Sequence, residues 1–362
     1  MIPRLFPENA TTFNNFGICP LVDCISCSVT QERNNEFILD LTYPRDGRWA
    51  TEITGGRIIL AMPEDDATEA EPFRIASVDF DMNENITVHA EHLSYDLGKI
   101  IIGANQQDPG TRYPAKFWEV ENRYLLSASN PFTFTTDISD DNGTVYKYGT
   151  PTAVSLKSLL GGNEGSMLDL YGGEFRWNRY NVQLLAARGS NNGVKIAYTK
   201  NLTGLKHRID MSDTFTGVIA YWTSGDDYVE SSRRTASSGL TYSRDIAVDA
   251  SQDFTEKPTV AQLNTWADKY IQSHSNGKPG ISIDVEFVPL WQTEEYKRFY
   301  NLEHVKLCDT VTIIYPPLNI EVEAKVVKTV YNVLADRYDS IVISSIRADL
   351  ADTIYSLMKE LS

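Results

Sequence analysis

The 362-residue chain is short of positive charge, cysteine, histidine and long apolar runs. Lys and Arg total 33 against 49 Asp and Glu, a formal net charge of −16. Proteins that grip nucleic acid neutralise phosphates with clustered Lys and Arg. This balance argues against such a surface and suits one that DNA passes without adhering. No stretch approaches the roughly 18 consecutive apolar residues of a membrane span. The N-terminus, Met1-Ile2-Pro3-Arg4-Leu5-Phe6-Pro7-Glu8, lacks the charged-then-apolar order of a signal peptide. The chain is therefore expected to be soluble, without a membrane anchor, and made in a cytoplasm.

The four cysteines are Cys19, Cys24, Cys27 and Cys308. Cys24-x-x-Cys27 invites a metal or redox reading, but a structural zinc site needs four ligands, and no second pair and no nearby His supplies them. Reduced, mostly buried thiols are expected. The five histidines are His89, His92, His207, His274 and His304. His89-Ala90-Glu91-His92 falls one residue short of the zinc-protease spacing. In a strand its two imidazoles face opposite sides.

The motifs that carry common chemistries are also missing. The sequence holds no Gly-x-Ser-x-Gly elbow and no Gly-x-x-x-x-Gly-Lys-Ser/Thr phosphate loop. Gly161-Gly162-Asn163-Glu164-Gly165-Ser166 follows a predicted helix rather than opening one, so it reads as a turn. Glu294-Glu295 would serve glycoside hydrolysis only if two carboxyls faced each other across a cleft, and adjacency among 49 acids does not establish that. The expectation is no catalytic residue, no cofactor-binding residue, no metal ligand and no cofactor.

What is present is β-type patterning. Hydrophobic residues make up 42% and aromatics 11%, with 19 Tyr, enough to build a β-rich core. Phe37–Tyr43, Arg57–Met62, Phe73–Val78 and Ile86–Ala90 read as short strands separated by turn signals such as Pro44-Arg45-Asp46-Gly47. The acidic run Glu64–Glu71 reads as a solvated hairpin loop. Thr150-Pro151 predicts a helix start, with Leu156, Leu159 and Leu160 on its apolar face and Gly161-Gly162 as its stop. Gly173–Trp177 and Tyr180–Leu185 look like paired strands. A helix is predicted from Pro258 through Val260, Leu263, Ala267, Tyr270 and Ile271. Strands are predicted at Ile281–Phe287, Thr310–Tyr315, Ile320–Val327 and Ser340–Ile343. A final apolar stripe, Leu350, Ile354, Leu357 and Leu361, predicts a helix that must pack on something.

Several segments, taken in order, resemble the N-terminal region of phage tail-associated lysins, the prophage tail endopeptidase or phage minor structural protein family. They are Leu41–Gly47, Gly56–Ile59, Pro72–Val78 and Ile86–Leu97, in which His92 to Leu97 fits the family's His-x-x-Tyr-Asp-Leu signature. The middle of the chain adds Leu160–Ser166, Tyr171–Trp177, Ala187–Gly193 and Tyr198–Leu205. Val305–Val311 resembles a Leu-Gly-Asp-Thr-Val segment, with Cys308 where Gly is usual, and Tyr331–Tyr338 completes the series. The resemblance spans residues 37–345.

It implies a baseplate-hub-like α+β, β-rich fold: a first β-barrel over residues 1–98, a middle α+β domain over 99–200, a strand, loop and helix insertion over 201–280, strands of a second β-barrel over 281–345, and a C-terminal helix over 346–362. It further implies a virion structural protein of a bacteriophage or prophage tail tip. Three copies would form a baseplate hub, with a hexameric distal tail protein, the tail tube and the tape measure protein as partners. No catalytic motif of the lysins is matched, so the chain is expected not to be an enzyme. A peptidoglycan endopeptidase is the alternative, and a carbohydrate-binding module stacking sugars on Trp222 or Trp291 is a third.

Overall fold

The computed structural model describes residues 1–345 other than 81, 83, 105–109, 112, 139–144, 147–151, 163–165, 255, 279, 296–302 and 319. The chain forms two compact units. Unit 1 holds Met1–Lys195, Phe287–Val311 and Lys325–Val342, and unit 2 holds Ile196–Glu286, Thr312–Ala324 and the described residues from Ile343.

Unit 1 is built on antiparallel strands. They are β1 (Arg4–Phe6), β2 (Cys19–Pro20), β3 (Ser26–Glu32), β4 (Phe37–Pro44), β5 (Ile58–Ala61), β6 (Glu71–Phe80) and β7 (Asn85–His92). Their spatial order is β3-β4-β7-β6-β5-β1-β2. The period-two alternation places Phe37, Leu39, Leu41 and Tyr43 of β4 in the core, each 1% exposed or less. Each such side chain contributes roughly 1.5–3 kcal/mol by leaving water. Pro44 and Gly47 close the expected turn, with Gly47 N–H donating to Pro44 O at 3.0 Å. β3 and β4 meet at Asn34, whose φ of 58° lies in the left-handed region that Asn tolerates.

A second apolar cluster fills the middle of unit 1. Leu97, Ile102, Phe117, Leu156, Leu160, Met167, Val182 and Leu184 are buried together. The hairpin Glu174–Asn178 and Asn181–Leu185 forms as expected. The helix near it starts later than its sequence signals suggest. It runs Leu156–Leu160, and Ser155, not Thr150, is the N-cap, its hydroxyl accepting from Ser158 N–H at 3.3 Å. Thr150 and Pro151 lie outside the described residues. A further helix, Pro114–Arg123, has Pro at its first turn and buries Phe117 and Val120. Pro114 marks this start in the sequence as well, at a position where its missing N–H costs nothing.

The β-rich α+β character expected from the sequence is what forms. The expected barrels do not appear: among the described residues the strands make open sheets. Part of the stretch assigned to a second barrel joins the first sheet instead, because Lys328–Asn332 pair antiparallel with β3. Alternation of apolar and polar residues identifies a strand and its buried face, but it carries no information about which strand lies beside it.

In unit 2 the strand Gly217–Ser224 is central. It pairs antiparallel with Asp227–Glu230 and Arg234–Thr235 and parallel with Asp245–Asp249. The helix Val260–Ser273 lays Leu263, Ala267 and Ile271 against Val218, Ala220 and Trp222. Its N-cap is Thr259 in a reciprocal capping box with Gln262. The C-terminal stripe Leu350, Ile354, Leu357 and Leu361 lies outside the described residues.

Candidate functional site: a polar seam beneath the acidic loop

The loop between β5 and β6 is only partly solvated: Thr68 and Glu69 are exposed, while its acidic start and end meet other parts of unit 1. Asp65 accepts from His304 Nε2 at 2.9 Å on one oxygen and from Trp291 Nε1 at 3.2 Å on the other. The His304 and Asp65 side chains are 8% and 11% exposed. Burial would raise the Asp65 carboxyl, but the His304 and Trp291 contacts outweigh it and hold it below its ordinary value. Asp66 pairs with Lys306. Glu64 is pushed up by burial, against the pull of Arg188 and Lys306 and with the charge of Asp66 adding to the rise.

Glu71 closes the same loop. Its Oε2 accepts from Arg179 N–H at 2.7 Å and from His92 Nε2 at 3.2 Å. His92 Nδ1 accepts from Ser94 N–H at 3.1 Å, which fixes the proton of a neutral ring on Nε2. The ring stacks on Phe37 at 4.4 Å. Beside this loop lies a polar cleft of about 220 Å³, lined among others by Glu64, Arg176, Trp177, Gln183 and Arg188.

The second half of the seam centres on Glu174, buried at the start of the hairpin. It accepts from Lys325 Nζ at 2.5 Å, from Arg33 Nε at 2.9 Å and from Arg188 N–H at 2.8 Å. Burial would raise its pKa, but the Lys325 bond, the Arg188 amide and the two positive charges prevail and lower it. Arg188 also donates to Gln31 Oε1 at 3.1 Å. One residue further, Gly189 lies so close to the Cys308 carbonyl that an added Cβ would overlap it. Asp309 then ties the strands together. Its Oδ1 accepts from Ser190 N–H at 2.7 Å and its Oδ2 from Lys306 N–H at 2.8 Å. Cys308 has φ 74°, a conformation that disfavours any side chain.

The chemical candidates found in the sequence are dispersed. His89 faces solvent on β7 and meets Asp40 at 2.8 Å, whereas His92 faces the core, as period two requires. His274 stacks on Tyr270 at 3.8 Å. Glu294 and Glu295 are exposed. Cys19, Cys27 and Cys308 are buried, Cys24 is half-buried, and all four are free thiols. Burial raises the Cys308 thiol to about 11. Cys27 lies well above its ordinary value through its contact with Cys24 and its burial. A thiol held protonated is a poor nucleophile. Trp222 and Trp291, offered above as sugar-stacking surfaces, are 6% and 3% exposed. Both belong to cores and present no open ring face. No helix among the described residues is long and apolar enough to cross a membrane.

Five segments that carry the family resemblance contribute to this seam: His92–Leu97, Tyr171–Trp177, Ala187–Gly193, Val305–Val311 and Tyr331–Tyr338. Residues 190–354 match the prophage endopeptidase tail family. The prophage-tail match thus takes in the Asp309 turn and the Tyr331–Tyr338 segment. The fold extends the likeness over the rest of the chain. The prophage tail protein gp18 of Listeria monocytogenes EGD-e superposes with a TM-score of 0.56 at 13% identity, covering 100% of this chain and 98% of that one. The 43 kDa tail protein of prophage MuSo2 from Shewanella oneidensis gives 0.60 at 12% identity, over 97% and 100%. A tail protein of Neisseria meningitidis MC58 gives 0.57 at 8% identity, over 95% and 96%. Identities this low establish a common fold and nothing finer. No curated protein matches the sequence.

Proposed function

We propose that the chain is a structural subunit of a bacteriophage tail tip, three copies of which form a baseplate hub. The hub joins the tail tube and the distal tail protein to the host-facing tip and lines the channel through which DNA leaves. The observation that carries this reading is the use made of the signature residues. His92, Asp96, Glu174, Gly189, Asp309 and Tyr331 are engaged with other parts of unit 1: His92 with Glu71, Asp96 with Arg74, Glu174 with Lys325, Asp309 with Ser190 and Tyr331 with Asp336, while Gly189 packs on Cys308. Residues placed so are scaffold, and an active site would leave some of them facing a cleft. The fold shared with three tail proteins, two of them from prophages, supports the same reading.

The net charge of −16 suits a channel wall that DNA passes without adhering. The chain does not act as an enzyme in this reading, and the endopeptidase activity in the family's name is not carried over to it. Two assays test it. Light scattering of the full chain mixed with the distal tail protein of the same phage should give a complex containing three copies of this chain. A chain that stays monomeric both alone and in that mixture contradicts the hub. Incubation with purified peptidoglycan should release no muropeptides, and release would restore the lysin reading.

A further inference from the structure

Three carboxyl groups, Glu64, Asp65 and Asp66, crowd one corner of unit 1. His304 Nε2 and one oxygen each from Asp65 and Asp66 lie within 4.8 Å of one another. The His304 and Asp65 atoms are 2.9 Å apart. A divalent ion holding nitrogen and oxygen ligands at about 2.0–2.2 Å keeps neighbouring ligands roughly 3 Å apart, so this pair already stands at ligand spacing. Trp291 Nε1 holds the other Asp65 oxygen at 3.2 Å and fixes the carboxylate plane, as outer partners of metal ligands do.

A separate observation concerns Tyr338, 5% exposed. Its hydroxyl is buried and no side chain among the described residues completes a well-formed hydrogen bond to it. It lies at the Asp65 backbone, beside the charges of Asp65, Glu64 and Asp66. A buried hydroxyl is unfavourable until it finds a partner, and a water on an ion held by Asp65 and Asp66 is one.

We propose that Asp65, Asp66 and His304 bind a divalent transition-metal ion, with the Tyr338 hydroxyl hydrogen-bonded to a water on that ion. One imidazole among carboxylates favours Mn²⁺, Co²⁺ or Zn²⁺ over Mg²⁺ and Ca²⁺, which prefer all-oxygen sets. The Lys306 ammonium on Asp66 occupies the place of the ion's charge and is displaced when the ion enters, and the Nε2 proton that His304 gives to Asp65 is released to solvent or moves to Nδ1, since a ligating nitrogen must be unprotonated. The site departs from the sequence expectation of no metal ligand, and it stands whether or not the chain is a hub.

The test is calorimetric titration of the full chain, stripped with EDTA, with Mn²⁺, an ion that thiols such as Cys24 bind poorly. One ion per chain is expected. H304Q should weaken binding at least tenfold. K306Q should tighten it several-fold, because the competing ammonium is gone. These opposite effects are what a merely structural cluster would not produce. Should H304Q fail to fold by circular dichroism, D66N replaces it, with the same tenfold loss expected. Absence of saturable binding, an unchanged affinity in H304Q or D66N, or weaker binding in K306Q would each overturn the proposal.

Discussion

Glu174→Gln tests the seam most directly. The side chain keeps its shape, but an amide replaces a carboxylate whose two oxygens receive donors from three places: Lys325 at 2.5 Å, Arg33 at 2.9 Å and the Arg188 amide at 2.8 Å. The glutamate side chain is 1% exposed and Lys325 18%, so the lost charge cannot be replaced by water. Arg33, at 38%, is open enough to recover hydration and contributes little. Removing one partner of a buried pair costs about 3–5 kcal/mol, and the exposed Arg33 places the expectation at about 3 kcal/mol. For a unit of this size each kcal/mol moves the melting temperature by about 2–4 °C, giving about 6–12 °C.

The same substitution alters the acid limb. The Glu174 carboxyl is held below its ordinary value of 4.5. A depressed carboxyl contributes stability that is fully present above the unfolded-state value and is lost as pH falls through the folded value. Wild type should therefore lose its advantage over the variant below pH 4.5, the ordinary value. Denaturant melts at pH 7 and pH 3 measure both. A difference below 1 kcal/mol at pH 7, or one that stays constant down to pH 3, would refute the reasoning.

Gly189→Ala should be severe, since its Cβ would overlap the Cys308 carbonyl, which is backbone and cannot turn away. Loss of soluble protein is expected, and a melt within about 1 kcal/mol of wild type would contradict the close approach. Cys308→Gly should be nearly neutral, because relief at φ 74°, about 1 kcal/mol, offsets the lost burial of the thiol; a drop of about 3 kcal/mol in a urea melt would show that the conformation carries no strain. Native protein at pH 8 should leave Cys308 unmodified by an aromatic disulfide reagent, since burial holds the thiol near 11, and rapid labelling identified by mass spectrometry would contradict that. Thr259→Ala should cost about 1 kcal/mol by removing the capping box of the helix Val260–Ser273, and an unchanged thermal melt would mean that the cap contributes nothing.

The sequence by itself determined what is local or periodic. Alternation located β4, β6 and β7 and their buried faces. Helical spacing located Leu263, Ala267 and Ile271, and three-residue separation put His89 and His92 on opposite sides. These follow from geometry within one element. Ordered short segments pointed to the prophage-tail family before any fold was known, and the missing nucleophile motifs argued against an active site.

Tertiary structure decided what depends on partners far away in the chain. Thr68 and Glu69 of the acidic loop are exposed as expected, but composition cannot show that His304, Trp291 and Lys306, more than 200 positions later, return to meet Asp65 and Asp66. Trp291 looked exposed for the same reason. The strand Ile320–Asn332 was legible, but its neighbour β3 was not. Whether a carboxylate is a solvated charge, a buried brace or a metal ligand is set by desolvation and by the charge beside it. For Asp65 and Glu174 only the folded chain supplies both.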